Sequence, residues 1–382
     1  MVGAGRYPPN GGTHRARAGT GMADARTAGW SRRTVLAGAA GLPLLGFAPG
    51  EALKDRAGRA GMLFGAAVRA SDLRQDAAFR AAITRECSVV TPELELKWAW
   101  LEPQRGQLSF TDADEIAAFA MATGKAMHGH ALLWHLSIAP WAAEALAGQP
   151  DWTIVRRFLA SVIPRYGEVT TTWDVINEPM EMGHRMDGLR PSPYLRAFGP
   201  DYIRRALEDA RMFAPRARLF INEFGLDYDF PVERDKRYLL LKLLEGLKTA
   251  GAPIDGLGMQ AHLEFAKQAH FDPKALAQFF NDVGSLGLEI RISELDVKEA
   301  DVSLPVAVRD ARVADAARRY LDVAMANRAV GTIGCWGLSD RYSWLAPPGG
   351  EAGPNRGLPL DSALRQKPLY RVLADAYELR GG

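Results

Sequence analysis

The chain has 382 residues, 47% of them hydrophobic and 24% charged, which is enough apolar material for a large core and excludes a disordered or low-complexity protein. Its 47 basic and 45 acidic side chains give a formal charge of +2, and six arginines (Arg6, Arg15, Arg17, Arg26, Arg32, Arg33) face only Asp24 and Glu51 within the first 52 residues. The remainder carries 41 basic and 43 acidic residues, a balance that leaves no electrostatic footprint for nucleic acid and suits a neutral polymer. Two cysteines, Cys87 and Cys335, are too few for a disulfide scaffold and lack metal-ligand spacing; each lies in an apolar run, which predicts separate buried thiols.

Residues 1–30 are rich in Gly, Ala and Arg, and Ser31-Arg32-Arg33-Thr34-Val35-Leu36 then opens an apolar stretch to about Phe47. This pattern reads as a twin-arginine-type export leader over residues 1–52, removed or disordered in the mature protein, and implies a periplasmic or secreted product. Pro43 and several glycines break the apolar part, which falls short of the ~20 residues of a membrane helix, so no membrane span is expected.

From Met62 onward strand-like runs alternate with stretches of helical period. The strands are expected near 62–68, 87–91, 126–130, 172–177, 217–222, 256–261, 288–293 and 331–336. Helical stretches include Ala113 to Ala122, Asp201 to Phe213, Arg234 to Ala250, Pro273 to Gly284 and Arg312 to Asn327. Eight βα units predict an α/β protein whose residues 53–382 form one domain, a (β/α)8 TIM barrel. A doubly wound open sheet is the competing architecture, but the dinucleotide-like Gly256-Leu257-Gly258-Met259-Gln260-Ala261 runs into His262-Leu263-Glu264 with no helix opening there.

Two strands end in carboxylates. Trp173-Asp174-Val175-Ile176 reads as a buried strand stopped by Asn177-Glu178-Pro179, and Ile290-Arg291-Ile292-Ser293 leads to Glu294 and Asp296. In a parallel barrel all strand C-termini open on one face, so Glu178 and Glu294 are expected to meet there and divide acid/base and nucleophilic work on a glycosidic bond. The same rim collects Glu93 and Lys97 after the second strand, His128, His130, Trp134 and His135 at the third, and Asn222, Glu223 and Phe224 at the fifth. Gln260 and His262 follow the sixth strand, and Trp336, Asp340 and Trp344 the eighth. Amides and charges bond hydroxyls and flat rings stack on sugar faces, so the mixture fits a carbohydrate. The three third-strand histidines have no further ligand at metal spacing, so no metal is expected. Trp98, Trp100, Trp141 and Trp173 are assigned to the core, and Arg204-Arg205 and Arg318-Arg319 to solvated helix faces.

The stretches TPELELKW, HGHALLWH, WDVINE, INEF, GMQAHL, ISELDV and WGLSDRYSW, in this order over roughly residues 58–378, resemble glycoside hydrolase family ten, the retaining endo-β-1,4-xylanases. The resemblance implies Glu178 as general acid/base and Glu294 as nucleophile, with His262, Asp296 and Asn177 in support, Asn177 holding the sugar 2-hydroxyl. It implies sugar contacts by Glu93, Lys97, His130, Trp134, Asn222, Gln260, Trp336 and Trp344. No cofactor is implied; the partner is xylan or its oligosaccharides, and a monomer is the expected working form. A related barrel glycosidase on another β-glycan, or a sugar-binding barrel without catalysis, are the alternatives. Two positions depart from the family pattern: Leu94 stands where it usually has Asn, and Ser137 where it has Gln, both among glycone-side contacts.

Overall fold

The computed structural model describes residues 50–299, 301–345 and 355–381; the Arg32-Arg33 leader lies outside them. Eight parallel strands form the barrel: β1 (Leu63–Val68), β2 (Val89–Pro92), β3 (Ala126–Gly129), β4 (Thr170–Asn177), β5 (Arg218–Glu223), β6 (Gly256–Met259), β7 (Glu289–Lys298) and β8 (Val330–Cys335). Each pairs with the next, and β8 pairs back onto β1 through Leu63↔Thr332 to Ala66↔Cys335, so the sheet closes.

The principal connecting helices are α1 (Ala77–Glu86), α2 (Thr111–Ala122), α3 (Trp152–Val162), α4 (Tyr202–Phe213), α5 (Pro231–Thr249), α6 (Pro273–Ser285), α7 (Val306–Ala326) and α8 (Pro368–Gly381). Their apolar residues recur at helical spacing, as Ile203, Ala206, Leu207 and Ala210 do on α4, and bury that stripe in the core. Aspartate caps fix the starts of α1, α3 and α6: on α6, Asp272 accepts from the Lys274 and Ala275 N–H groups while Pro273 takes the first turn, where no backbone donor is needed.

Both faces of the strands are covered, one by helices and one by the barrel interior, so buried residues run along them almost continuously, polar ones included. Close packing leaves several glycines no room for a side chain, two of them beside site strands. A Cβ on Gly129 would lie 2.1 Å from the Trp173 ring, and one on Gly258 would lie 2.2 Å from the Asn222 amide oxygen.

Three departures from the expected elements bear on the rim. β6 stops at Met259 rather than 261, because Ala261 takes a left-handed φ of 55°; the chain resumes as a short strand, His262–Glu264, paired with Asp296–Lys298. β7 therefore runs on to Lys298 instead of ending at 293, gaining a partner above the barrel. The pairing register slips between Asp174 and Ile176 on β4 and again between Ile333 and Cys335 where β8 meets β7, irregularities that re-aim side chains just before each carboxylate. Both cysteines are buried and free, as expected, and burial pushes the Cys87 thiol up to about 12. Trp98 and Trp173 are core, but Trp100 is 43% exposed because the helix carrying it, Trp98–Leu101, is too short to bury two faces. Trp141 is half-buried, its indole donating to the Glu102 carbonyl.

Candidate active site

Glu178 follows the last residue of β4 with a left-handed φ of 54°, a conformation a side-chain-bearing residue adopts only when its surroundings hold it. Here its N–H donates to the Asn222 carbonyl at 2.8 Å, and its own carbonyl accepts from Arg190 Nε at 2.9 Å. The carboxylate then points where three donors meet it: Trp134 Nε1 reaches Oε2 at 2.9 Å, and Gln260 Nε2 and Asn177 Nδ2 reach Oε1 at 3.1 and 3.4 Å. Trp134 is in place because Leu133–Trp134 forms a short strand against Ile176 and Asn177.

Glu294 is buried on β7. Asn222 Nδ2 donates to its Oε1 at 2.7 Å, and His262 Nε2 stands 3.1 Å from Oε2. The other face of that imidazole, Nδ1, lies 3.0 Å from Asp296 Oδ1, and the second Asp296 oxygen accepts from Trp344 Nε1 at 2.6 Å. Burial alone would lower the His262 pKa, but the flanking carboxylates, Asp296 foremost, hold it well above the ordinary imidazole range. His262 is thus an imidazolium donating to both neighbours. Burial works in the opposite sense on Glu294, and the His262 hydrogen bond, the positive surroundings at His130 and the Asn222 amide outweigh it, holding the carboxyl below its usual value. An ionised Glu294 is the form a nucleophile requires.

A second row of side chains roofs the carboxylates. Lys97 is buried with its ammonium 4.5 Å from the Trp134 ring centre and 5.8 Å from that of Trp336. Burial lowers its pKa, against the pull of Glu93, Glu294 and Glu178. Glu93 is buried and ion-paired to Arg69 at the end of β1. His130 packs edge-on to Trp336 at 5.1 Å, and Trp344, 48% exposed, lies 5.0 Å from the His262 ring.

Several residues expected at the sugar bond protein groups of the site. Asn222 is fully buried: besides Glu294 it donates to Asn177 Oδ1 at 2.9 Å and accepts from Ser293 Oγ at 2.7 Å, so its amide has no group left for a ligand. The slip at β4 brings this about by placing Asn177 directly beside Asn222. Gln260 spends its amide N–H on Glu178, and His130 directs Nδ1 to Asp174 Oδ2 at 2.8 Å, where His128 Nε2 also bonds. His128 and His130 therefore serve a carboxylate, His135 Nδ1 has no partner among the described residues, and no cluster of three metal-ligating side chains occurs among them. Sequence reading missed Arg190, which ties the loop after Glu178 together, and Asp174, whose charge within an apolar strand was the available signal.

Comparison with known proteins agrees with this geometry. The model of glycosyl hydrolase family 10 matches residues 52–376. An endo-1,4-beta-xylanase of Agaricus bisporus is 30% identical over 77% of this chain and 84% of its own length. Among solved structures, native xylanase 10B from Thermotoga maritima aligns with a TM-score of 0.76 at 25% identity, covering 86% of this chain and 99% of that one. Xylanase 10B from Thermotoga petrophila RKU-1, solved with xylobiose, aligns with a TM-score of 0.76 at 25% identity, over 87% and 98%. A closed eight-stranded barrel with paired carboxylates at its rim, matched along nearly all of its length, belongs to glycosyl hydrolase family 10.

Proposed function

We propose that this chain is an endo-1,4-β-xylanase that cleaves internal bonds of xylan with retention at the anomeric carbon. The observation that carries the reading is the unequal treatment of two rim carboxylates: Glu294 is clamped as an anion by His262 and Asn222, while Glu178 is held only by the neutral donors of Trp134, Gln260 and Asn177. Glu294 attacks the anomeric carbon, and the bond to the leaving oxygen breaks as Glu178 delivers its proton there. Water then attacks the glycosyl ester, giving its proton to Glu178, and the bonding pair returns to Glu294. Asn177 is assigned to the sugar 2-hydroxyl, and Lys97, Glu93, Trp134, Trp336 and Trp344 to the glycone side.

Glu178→Ala and Glu294→Ala should each abolish release of reducing sugar from xylan. With azide and an aryl xyloside, the first should yield the β-azide and the second the α-azide. Full activity in either variant, or a wild type that binds xylan without cutting it, would overturn the reading. Arg32-Arg33 and the following apolar run are proposed to route the protein through twin-arginine export; converting both to lysine should leave it in the cytoplasm, and undiminished export would exclude that route.

A further inference from the structure

We propose that Arg291 is a positioning residue for the reaction at Glu294: a fixed cation inside the barrel that favours the ionised carboxylate, both before attack and as it leaves the sugar. This rests on Glu294 being the nucleophile. Arg291 lies on β7 three residues before Glu294, is 2% exposed, and is flanked in register by Gly258 on β6 and Thr332 on β8. Its Nε and Nη2 are buried and find no hydrogen-bond partner among the described residues. A guanidinium removed from water with two of its nitrogens unbonded is tolerated only where opposite charge compensates it.

The compensating charges are Asp174 and Glu294. Asp174 is on β4 and His128, which also feels Arg291, is on β3; neither strand adjoins β7, so this coupling crosses the interior. Asp174 accepts both imidazoles on Oδ2 and leaves Oδ1 without a partner among the described residues. Burial and Arg291 hold the His128 pKa down to about 4, so that ring is neutral, whereas Arg291, lowered to about 10 by burial, stays charged at working pH. The charged or titratable groups around Glu294 are then Glu178 at the end of β4, His262 beyond β6, Asp296 on its own strand, His130 on β3, Lys97 and Glu93 beyond β2, and Arg291 with Asp174 below. Arg291 is buried below the rim, so its field persists through both chemical steps.

The test uses the full chain and a xyloside bearing an epoxide, which esterifies a nucleophilic carboxylate and is located by peptide mass spectrometry. Inactivation rate is followed against pH for the parent, Arg291→Lys, Arg291→Gln and Arg291→Met, the last filling similar volume without a polar group. The neutral variants should move the acid limb up by about one pH unit, as loss of a nearby opposite charge does, with kcat reduced more than KM raised, and Arg291→Lys should restore the limb. An unmoved limb in a folded neutral variant, a limb as displaced in Arg291→Lys as in Arg291→Gln, or unfolding of both neutral variants would overturn the role of Arg291. A label on a residue other than Glu294 in the parent would instead overturn the assignment of the nucleophile.

Discussion

At Glu294 the decisive physics is a row of alternating charge: Asp296 anionic, His262 cationic, Glu294 anionic, each within 3.1 Å of the next. In the proposed mechanism, esterification of Glu294 would remove one anion from that row and leave His262 with Asp296 alone, so the positive ring would favour the free carboxylate and help expel it from the sugar. On the glycone side the chain differs from its family at Leu94, which is half-buried, its N–H bonded to Glu95 Oε2 at 3.0 Å beside the Glu93–Arg69 ion pair. An apolar group there cannot bond a sugar hydroxyl, which weakens binding of that hydroxyl by the worth of one hydrogen bond, ~1 kcal/mol or about fivefold. Leu94→Asn should therefore raise kcat/KM on linear xylo-oligosaccharides about fivefold relative to decorated ones; identical ratios for the two proteins would remove Leu94 as a determinant of preference.

Among the elements, β4 depends on the absence of a side chain on its neighbour. Gly129→Ala drives a methyl into the fully buried Trp173 ring, and neither strand backbone can retreat from the closed sheet. The change should cost ~3 kcal/mol, the upper end of overpacking, read as a lower denaturation midpoint, with activity falling because β4 carries Glu178. A midpoint equal to the parent's would contradict this packing. The strands themselves were legible in the sequence because apolar runs ended abruptly at Asn177-Glu178-Pro179 and at Glu294. What lay beyond reach had physical reasons. Ile290-Arg291-Ile292 alternates like a half-exposed strand, yet a barrel strand is buried on both sides, so an arginine that reads as solvent-facing lies inside. The inward turn of Asn222 depends on a register slip between β4 and β5, and pairing slips leave no mark in either strand alone. Trp100 belongs to a four-residue helix, too short for periodicity to assign a face.

For the molecule as a whole, stability should depend on pH through Asp227, buried on the loop after β5 with Oδ1 unpartnered among the described residues. Burial, and then Glu233, raise its carboxyl to about 7, with His262 and Tyr320 pulling the other way. An unfolded aspartate titrates near ~3.9, so between about pH 4 and 7 the folded chain retains a proton that the unfolded chain has released, and stability falls as pH rises through that window. Asp227→Asn should match the parent's thermal midpoint near pH 4 and exceed it by a widening margin toward pH 8; parallel curves would exclude Asp227 as the origin.

The pairing of β8 with β1 has a consequence of its own. A ring of strands presents no free edge for a stray chain to join, so the sheet resists templated aggregation by topology alone. Closure also carries α8 back to the helix Leu53–Arg59, where Arg56 pairs with Glu378 and a Cβ placed on Gly381 would lie 3.7 Å from the Ala60 Cα. In a chain without the residues before Leu53, a short bridge from α8 to that helix, with a new opening in an outer loop, should preserve every ladder that holds the two glutamates in place.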